Sequence, residues 1–195
     1  MIHPAFQYDR YLLKRQVLAL TGKFRIYNPQ GDLVLFCEQK MFRLREDFRL
    51  YADESKTQEV LIVKARQILD FAATYDVIDS LSGERIGTWR RRGFASLLRD
   101  RWELLDAQER PVGFMTEDSL GLALLRRFLL GALLPQNYDL FVGEQRLADL
   151  RQRFHLFRYE LEIDFSMDAS RRLDRRLGLA AAILLAAIEG KQEKE

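Results

Sequence analysis

The sequence predicts a mainly β fold with a helical part, an α+β chain. It is a closed antiparallel β-barrel of roughly twelve strands around a buried hydrophobic C-terminal helix. Three observations lead there. Apolar and polar residues alternate across most of residues 11–165, the period of a strand with one buried face. An aromatic-led hairpin unit recurs along the same stretch. Near the C-terminus, Leu177 to Ile188 forms a run of twelve apolar or small residues with charge packed on both sides.

The alternation is clearest in MFRLREDFRLYA, where Phe42, Leu44, Phe48 and Leu50 take one parity and Arg43, Arg45, Asp47 and Arg49 the other. FRYELEIDF repeats it, with Tyr159, Leu161, Ile163 and Phe165 against Arg158, Glu160, Glu162 and Asp164. A helix would spread these side chains around its axis, so both stretches are strands. The recurring unit reads aromatic, any, aliphatic, any, turn-former, and then a second strand. Phe24, Ile26 and Asn28 lead through NPQGD to Leu33. Tyr75, Val77 and Asp79 lead through SLSGE to Ile86, and Trp102, Leu104 and Asp106 lead through AQER to Val112. Tyr138, Leu140 and Val142 lead through GEQ to Leu147, and Phe48 to Val60 is a looser copy. Asn, Asp and Gly at the joints hydrogen-bond their own turn or accept left-handed backbone. A single hairpin is barely stable in water, so the units must share one sheet, and so many strands in sequence curl or close.

A closed wall needs a filling. Around a helical wheel Leu177, Leu179, Ile183, Leu184, Leu185 and Ile188 point in nearly every direction, separated by Gly178 and five alanines. A helix apolar on all sides is buried on all sides. Twelve residues span only ~18 Å, short of a bilayer core of about 30 Å. The central helix is expected over about residues 170–190, capped at its start by Asp168 or Ser170 and ended by Gly190 in a left-handed conformation. The whole chain, 1–195, then forms a single barrel domain.

Composition narrows function mostly by exclusion. A net charge of only +2 carries no global field of the kind nucleic acid attracts, and acids such as Glu160, Glu162 and Asp164 share the strands with the arginines, so nucleic acid is an unlikely partner. The single cysteine, Cys37, rules out an intramolecular disulfide, fits a reducing compartment and reads as a small buried thiol within LVLFCEQ. MIHPAFQYDRYLLKRQ lacks a charged start followed by a long apolar core, and no segment reaches a membrane-spanning length. A cytoplasmic protein, with peripheral membrane contact as the alternative, is the expectation.

The residues from MFRLREDFRLYADESKTQEVLIVKARQILDFAATYDVIDSLSGERIGTWRRR, together with a further aromatic-led hairpin and the terminal DRRLGLAAAILLAAIEG, resemble the LURP-one-related family, which belongs with tubby C-terminal domains and phospholipid scramblases. The resemblance spans roughly residues 11–190. It implies an antiparallel barrel wound around a hydrophobic C-terminal helix. Tubby domains bind phosphoinositides and scramblases act at phospholipid membranes, so the resemblance also implies a link to lipid. No phosphoinositide pocket can be matched residue by residue, and the scramblase-type acidic segment before the last helix is not reproduced: EIDFSMDASRR offers only Asp164 and Asp168.

Catalytic chemistry has no visible carrier, and no enzyme, cofactor or metal site is expected. His3 and His155, the only histidines, have no partners at metal-ligand spacing. His155 shares parity with Phe157 and Tyr159, as a half-buried barrel residue would. Asp164 and Asp168 read as a strand acid and a helix cap rather than a catalytic pair. Gly-rich phosphate loops, nucleophile elbows and HExxH helices are absent.

Two stretches rise above this background. RRRGFASLLRDR places Arg90, Arg91, Arg92, Arg99 and Arg101 around Phe94, Leu97 and Leu98. Guanidinium forks suit phosphate and the apolar residues suit a headgroup layer, although a solvated strand edge has the same composition. SLGLALLRRFLLGALLP, residues 119–135, carries only Arg126 and Arg127 as charges. With Ser119 to cap it and Pro135 to stop it, it is expected to form a short helical insertion over about 119–134 that plugs a barrel end, pairs two copies or dips into a membrane surface. The sequence therefore reads as a non-catalytic binding or scaffold module. Its candidate lipid- or phosphate-binding residues are Arg90, Arg91, Arg92, Arg99, Arg101, Arg126 and Arg127. The alternative is a protein-interaction module that dimerises through 119–134.

Overall fold

In the computed structural model, every strand pairs antiparallel with two neighbours and the sheet closes on itself. The structure describes residues 2–16, 21–40, 47–66, 73–91, 101–117, 136–153 and 158–192. The strands are β1 (Arg10–Gln16), β2 (Thr21–Tyr27), β3 (Leu33–Lys40), β4 (Phe48–Tyr51), β5 (Glu59–Ala65), β6 (Thr74–Asp79), β7 (Arg85–Arg91), β8 (Arg101–Leu105), β9 (Pro111–Glu117), β10 (Asn137–Val142), β11 (Gln145–Arg153) and β12 (Arg158–Asp164). Sequence neighbours pair in order, and β1 closes the ring against β12 through seven residue pairs from Arg10↔Asp164 to Gln16↔Arg158. A short 3-10 segment, Pro4–Phe6, adds Ala5 and Phe6 to the core.

The recurring unit is the hairpin. Asn28 Oδ1 accepts the backbone N–H of Gln30 and Asp32 at 3.0 and 2.8 Å, Asp79 Oδ1 those of Leu81 and Ser82 at 2.8 and 3.0 Å, and Asp106 Oδ1 those of Gln108 and Arg110, both at 2.9 Å. One side-chain oxygen thus supplies the turn's missing acceptors each time, which is why the repeat places Asn or Asp at the joint. Gly31 and Gly83 hold positive φ in the first two of these turns, and Gly143 does so in the β10–β11 turn.

The terminal helix, α1 (Arg175–Gln192), runs through the barrel, and Leu177 to Ala187 are all buried. Eighteen residues give a rod of ~27 Å. Tyr11, Leu13, Phe24, Ile26, Leu35, Leu50, Leu61, Val63, Val77, Trp89, Trp102, Leu104, Met115, Tyr138, Leu140, Leu150, Tyr159, Leu161 and Ile163 belong to the same core cluster. The alanines and Gly178 let the wall approach the axis. A Cβ on Gly178 would sit 2.4 Å from the ring of Phe165. Two hydrogen bonds pin wall to rod: Trp89 Nε1 donates to the Leu177 carbonyl at 2.9 Å, and Arg15 Nη1 donates to the Ala186 carbonyl at 2.8 Å.

Two terminal expectations need correction. The cap of α1 is Asp174, whose Oδ1 accepts the Arg176 N–H at 2.9 Å and whose carbonyl accepts Leu177 N at 2.9 Å. Asp168 instead holds the preceding loop, accepting Arg172 N at 2.9 Å and Leu173 N at 3.0 Å. Helical backbone also continues past Gly190 to Gln192, so Gly190 is not a left-handed terminator. The rod is long enough that a lone helical glycine, costing about 1 kcal/mol, does not end it. The expected insertion at 119–134 and the strand residues Phe42 and Leu44 lie outside the described residues.

Because neighbouring strands alternate in direction, connections alternate between the barrel's two ends. Residues 28–32, 52–58, 80–84, 106–110 and 143–144 link strands at one end, where α1 also begins. Residues 17–20, 41–47, 66–73, 92–100, 118–136 and 154–157 link strands at the other.

Candidate functional site

Three of the seven predicted arginines lie among the described residues, and the two-residue period of the strand separates two of them. Arg90, on the outer face of β7, donates from Nη2 and Nε to Glu103 Oε2 at 2.5 and 3.0 Å. Arg91, one residue on, takes the opposite parity, shared with Trp89, and its guanidinium lies 5.9 Å from the Trp102 ring centroid. Arg101 opens β8, is exposed, and rests its guanidinium 4.3 Å over the ring of Phe114. Arg92, Arg99, Arg126, Arg127 and the apolar Phe94, Leu97 and Leu98 lie outside the described residues. The consecutive arginines are therefore not one patch. Arg90 and Arg101 share the outer wall, and Arg91 does not.

What surrounds Arg101 could not be read from the sequence. Phe114 stacks on Phe141 with centroids 4.8 Å apart and planes 15° apart. The registers Glu103↔Phe114 and Phe114↔Phe141 bring residues almost forty positions apart onto one outer face. Beside them runs a shallow cleft of about 280 Å³ lined by Arg101, Glu103, Pro111, Val112, Gly113, Phe114 and Gly143. Gly113 is required where β9 meets β10, since a Cβ there would lie 2.2 Å from the Phe141 carbonyl oxygen.

The charge state of the cleft differs from that of the wall around it. Arg25, Arg49, Arg66, Arg85 and Arg90 each reach a carboxylate oxygen at 2.5 to 2.8 Å. The Asp76 carboxylate bound to Arg66 holds that guanidinium's pKa above its ordinary value. Burial alone would push the Asp76 carboxyl up, but hydrogen bonds from Arg66 and Thr88 outweigh it and hold the group low. Arg101 makes no ion pair among the described residues.

Asp164 and Asp168 are used separately. Asp164 accepts Ser166 N at 2.7 Å and pairs with Arg10 at 3.1 Å. Asp168, fully buried, accepts Arg175 Nη1 at 2.7 Å. His3 Nδ1 accepts the Ala5 N–H at 3.2 Å, capping the 3-10 segment, and His155 lies outside the described residues. Cys37 is buried, as its apolar surroundings predict. No group of three or more His, Cys, Asp or Glu that could hold a metal occurs among the described residues.

Residues 33–186 match the model of the LURP-one-related family, from the first residue of β3 into α1, and so take in ten of the twelve strands. The chain belongs to the LURP-one-related family. No curated protein matches it as a relative. In this LURP-one-related barrel no helix among the described residues is long and apolar enough to cross a membrane.

The topology also sorts the family member's connections by chemistry. At the end where α1 begins, the strand-to-strand links read NPQGD, ADESKTQ, SLSGE, DAQER and GE, with Leu81 their one large aliphatic residue. The links that leave the other end contain VLAL, MFRLRE, QILDFA, RGFASLLRD, the leucine-rich 118–135 stretch and FHLF. Sequence order interleaves the two sets, and only the alternation of strand direction separates them. Both arginine-bearing candidate stretches belong to the second set.

Proposed function

We propose that this LURP-one-related barrel is a non-catalytic binding module that makes peripheral contact with anionic phospholipid through the end at which its apolar connections leave the sheet. The observation that carries this reading is the sorting of connections: polar turns at one end, apolar links interspersed with arginine at the other. A surface that combines aliphatic side chains with cations suits the boundary between acyl chains and anionic headgroups. Arg92, Arg99, Arg126 and Arg127 sit within those links, Arg90, Arg91 and Arg101 at their borders. Each basic residue near an anionic leaflet contributes about 1 kcal/mol, so several reach a useful affinity together, and salt weakens them. The 119–134 segment supplies the largest apolar contribution.

Vesicle flotation with neutral and anionic phospholipid tests this. Binding is expected to anionic vesicles only, to fall as salt rises, and to drop at least threefold in Arg126→Gln/Arg127→Gln. Equal behaviour toward neutral and anionic vesicles overturns it. A dimer that persists on dilution in light scattering and excludes vesicles would reassign the 119–134 segment to self-association.

A further inference from the structure

We propose that the cleft on the outer wall at β8 and β9 binds a small phosphate ester, with Arg101 as its principal ligand and the Phe114–Phe141 stack as its apolar wall. This rests on the reading of the chain as an anion-binding module and names a site and a ligand class for it. Four observations carry it. Arg101 is exposed and without an ion pair among the described residues, whereas Arg25, Arg49, Arg66, Arg85 and Arg90 elsewhere on the barrel are matched to carboxylates. Its guanidinium is held 4.3 Å over the Phe114 ring, which fixes the plane and leaves the N–H edges free to make paired bonds to an oxyanion. The Phe114–Phe141 pair, 15° from parallel, offers a flat apolar surface next to those donors. The one acid lining the cleft, Glu103, already takes two bonds from Arg90, so its charge is matched and it does not compete as an anion.

Arg90 lies opposite Glu103 in the β7–β8 register, and Arg101 is two residues before Glu103 on the same face. Arg90 is engaged with Glu103, so Arg101 supplies the cation of the cleft, and the paired N–H edges of its guanidinium match the oxygen pairs of a phosphate ester. The cleft, at about 280 Å³, is just below the usual range for small-molecule sites. It fits a headgroup-sized or aryl-sized ester and not an acyl chain.

The test is a titration of the full ¹⁵N-labelled chain with phenyl phosphate, inorganic phosphate and phenol, followed by nuclear magnetic resonance. Saturable shifts are expected at Arg101 Nε–H and at the Gly113 and Gly143 amides, with half-saturation at about 1–10 mM, as one or two arginine contacts support. Phenyl phosphate should bind several-fold tighter than inorganic phosphate, and phenol should give no saturation. Arg101→Gln should abolish the shifts, and Phe114→Leu should remove the advantage of the phenyl group. Arg101 is exposed, so its replacement should leave the remaining spectrum in place. Shifts that persist in Arg101→Gln, or that phenol reproduces, overturn the site. Vesicles containing phosphatidic acid then distinguish the sources. A threefold or greater loss of binding in Arg101→Gln assigns the phosphate to a lipid headgroup, and unchanged vesicle binding assigns it to a soluble ester. Vesicle binding without phenyl phosphate saturation removes this site and leaves the membrane reading. Saturation without any vesicle binding does the reverse.

Discussion

Arg175 Nη1 and Asp168 Oδ2 meet at 2.7 Å inside the barrel mouth, with side chains 4 % and 0 % exposed. Arg175 and Arg176 are the first two residues of α1, where the helix dipole presents its positive end and cations are unwelcome. Four carboxylates compensate. Asp168 and Asp9 bind Arg175, and Asp79 and Asp174 bind Arg176. The charges flanking the apolar run therefore fasten the rod to the β6–β7 turn on one side and to the loop after β12 on the other. Asp168→Ala strips Arg175 of its buried partner and is expected to cost about 3–5 kcal/mol. Arg175→Met should cost less, because Asp168 keeps the Leu173 and Arg172 N–H groups and the methionine stem still packs. Urea midpoints of the two variants check the order.

The same carboxylates set the acid limit. Burial pushes the Asp168 carboxyl up, but the Leu173 N–H, Arg175 and the Arg172 N–H more than offset it and hold the group below the usual carboxylate range. Asp79 is held low in the same way, with the Ser82 and Leu81 N–H groups and Arg176 outweighing its burial. A folded pKa below the unfolded value, about 3.9, means the stabilisation is complete above that value. It is lost as pH falls through the folded pKa. Urea midpoints should stay level from about pH 7 to 5 and fall steeply below about 4. Asp79→Asn should flatten that fall. A midpoint that rises on acidification would contradict this assignment.

Gly178 is the tightest point between wall and rod. Its missing Cβ would lie 2.4 and 2.5 Å from two carbons of the Phe165 ring, which is fully buried and has the Arg175 guanidinium 4.7 Å from its centroid. Gly178→Ala gains helix propensity of about 1 kcal/mol but forces this ring to move, and overpacking costs typically 1–3 kcal/mol. A net loss of stability is expected. In Gly178→Ala/Phe165→Leu the two changes should be less destabilising together than their sum, and a double-mutant cycle on urea midpoints measures that coupling.

Removing the rod should remove the fold. A chain ending before Arg175 would expose the inward faces of all twelve strands. It is expected to show no cooperative thermal transition, because the wall's core residues have α1 as their common partner. A truncated chain that unfolds cooperatively would refute the filled-barrel account.

Trp89 reports on the seam. It is fully buried, and its indole N–H ends on the Leu177 carbonyl. Trp89→Phe keeps most of the apolar volume but loses that bond, and should cost about 1–3 kcal/mol through the donor lost and the space left. Loss of Trp89 should also shorten amide exchange protection at the start of α1, measured by hydrogen exchange.

Architecture was readable because it rests on local periods. Phe48 and Leu50, or Tyr159, Leu161 and Ile163, face inward whatever their partners, since strand parity fixes them. An evenly apolar helix can only be an interior one. The caps were less legible: Asp168, Ser170 and Asp174 are all good cap residues, and only the path of the loop assigns Asp174 to the helix and Asp168 to Arg175. The candidate site was the least legible. Arg90, Arg91 and Arg101 were visible as a cluster in the sequence, but strand alternation turns Arg91 away from the other two. Phe114 and Phe141, which build the wall beside Arg101, carry no local signal because register alone brings them together.

By itself the sequence determined the hairpins, their Asn and Asp turns, the closed wall and the rod that fills it, since hydrophobic period and turn chemistry act within a few residues. Tertiary structure alone decided which cations are matched to carboxylates, that Arg101 has no such partner among the described residues and lies over a stacked aromatic pair, and that the apolar links leave the sheet at one end. Those outcomes depend on register and strand direction, which couple residues far apart in the chain and leave no trace in any short stretch of it.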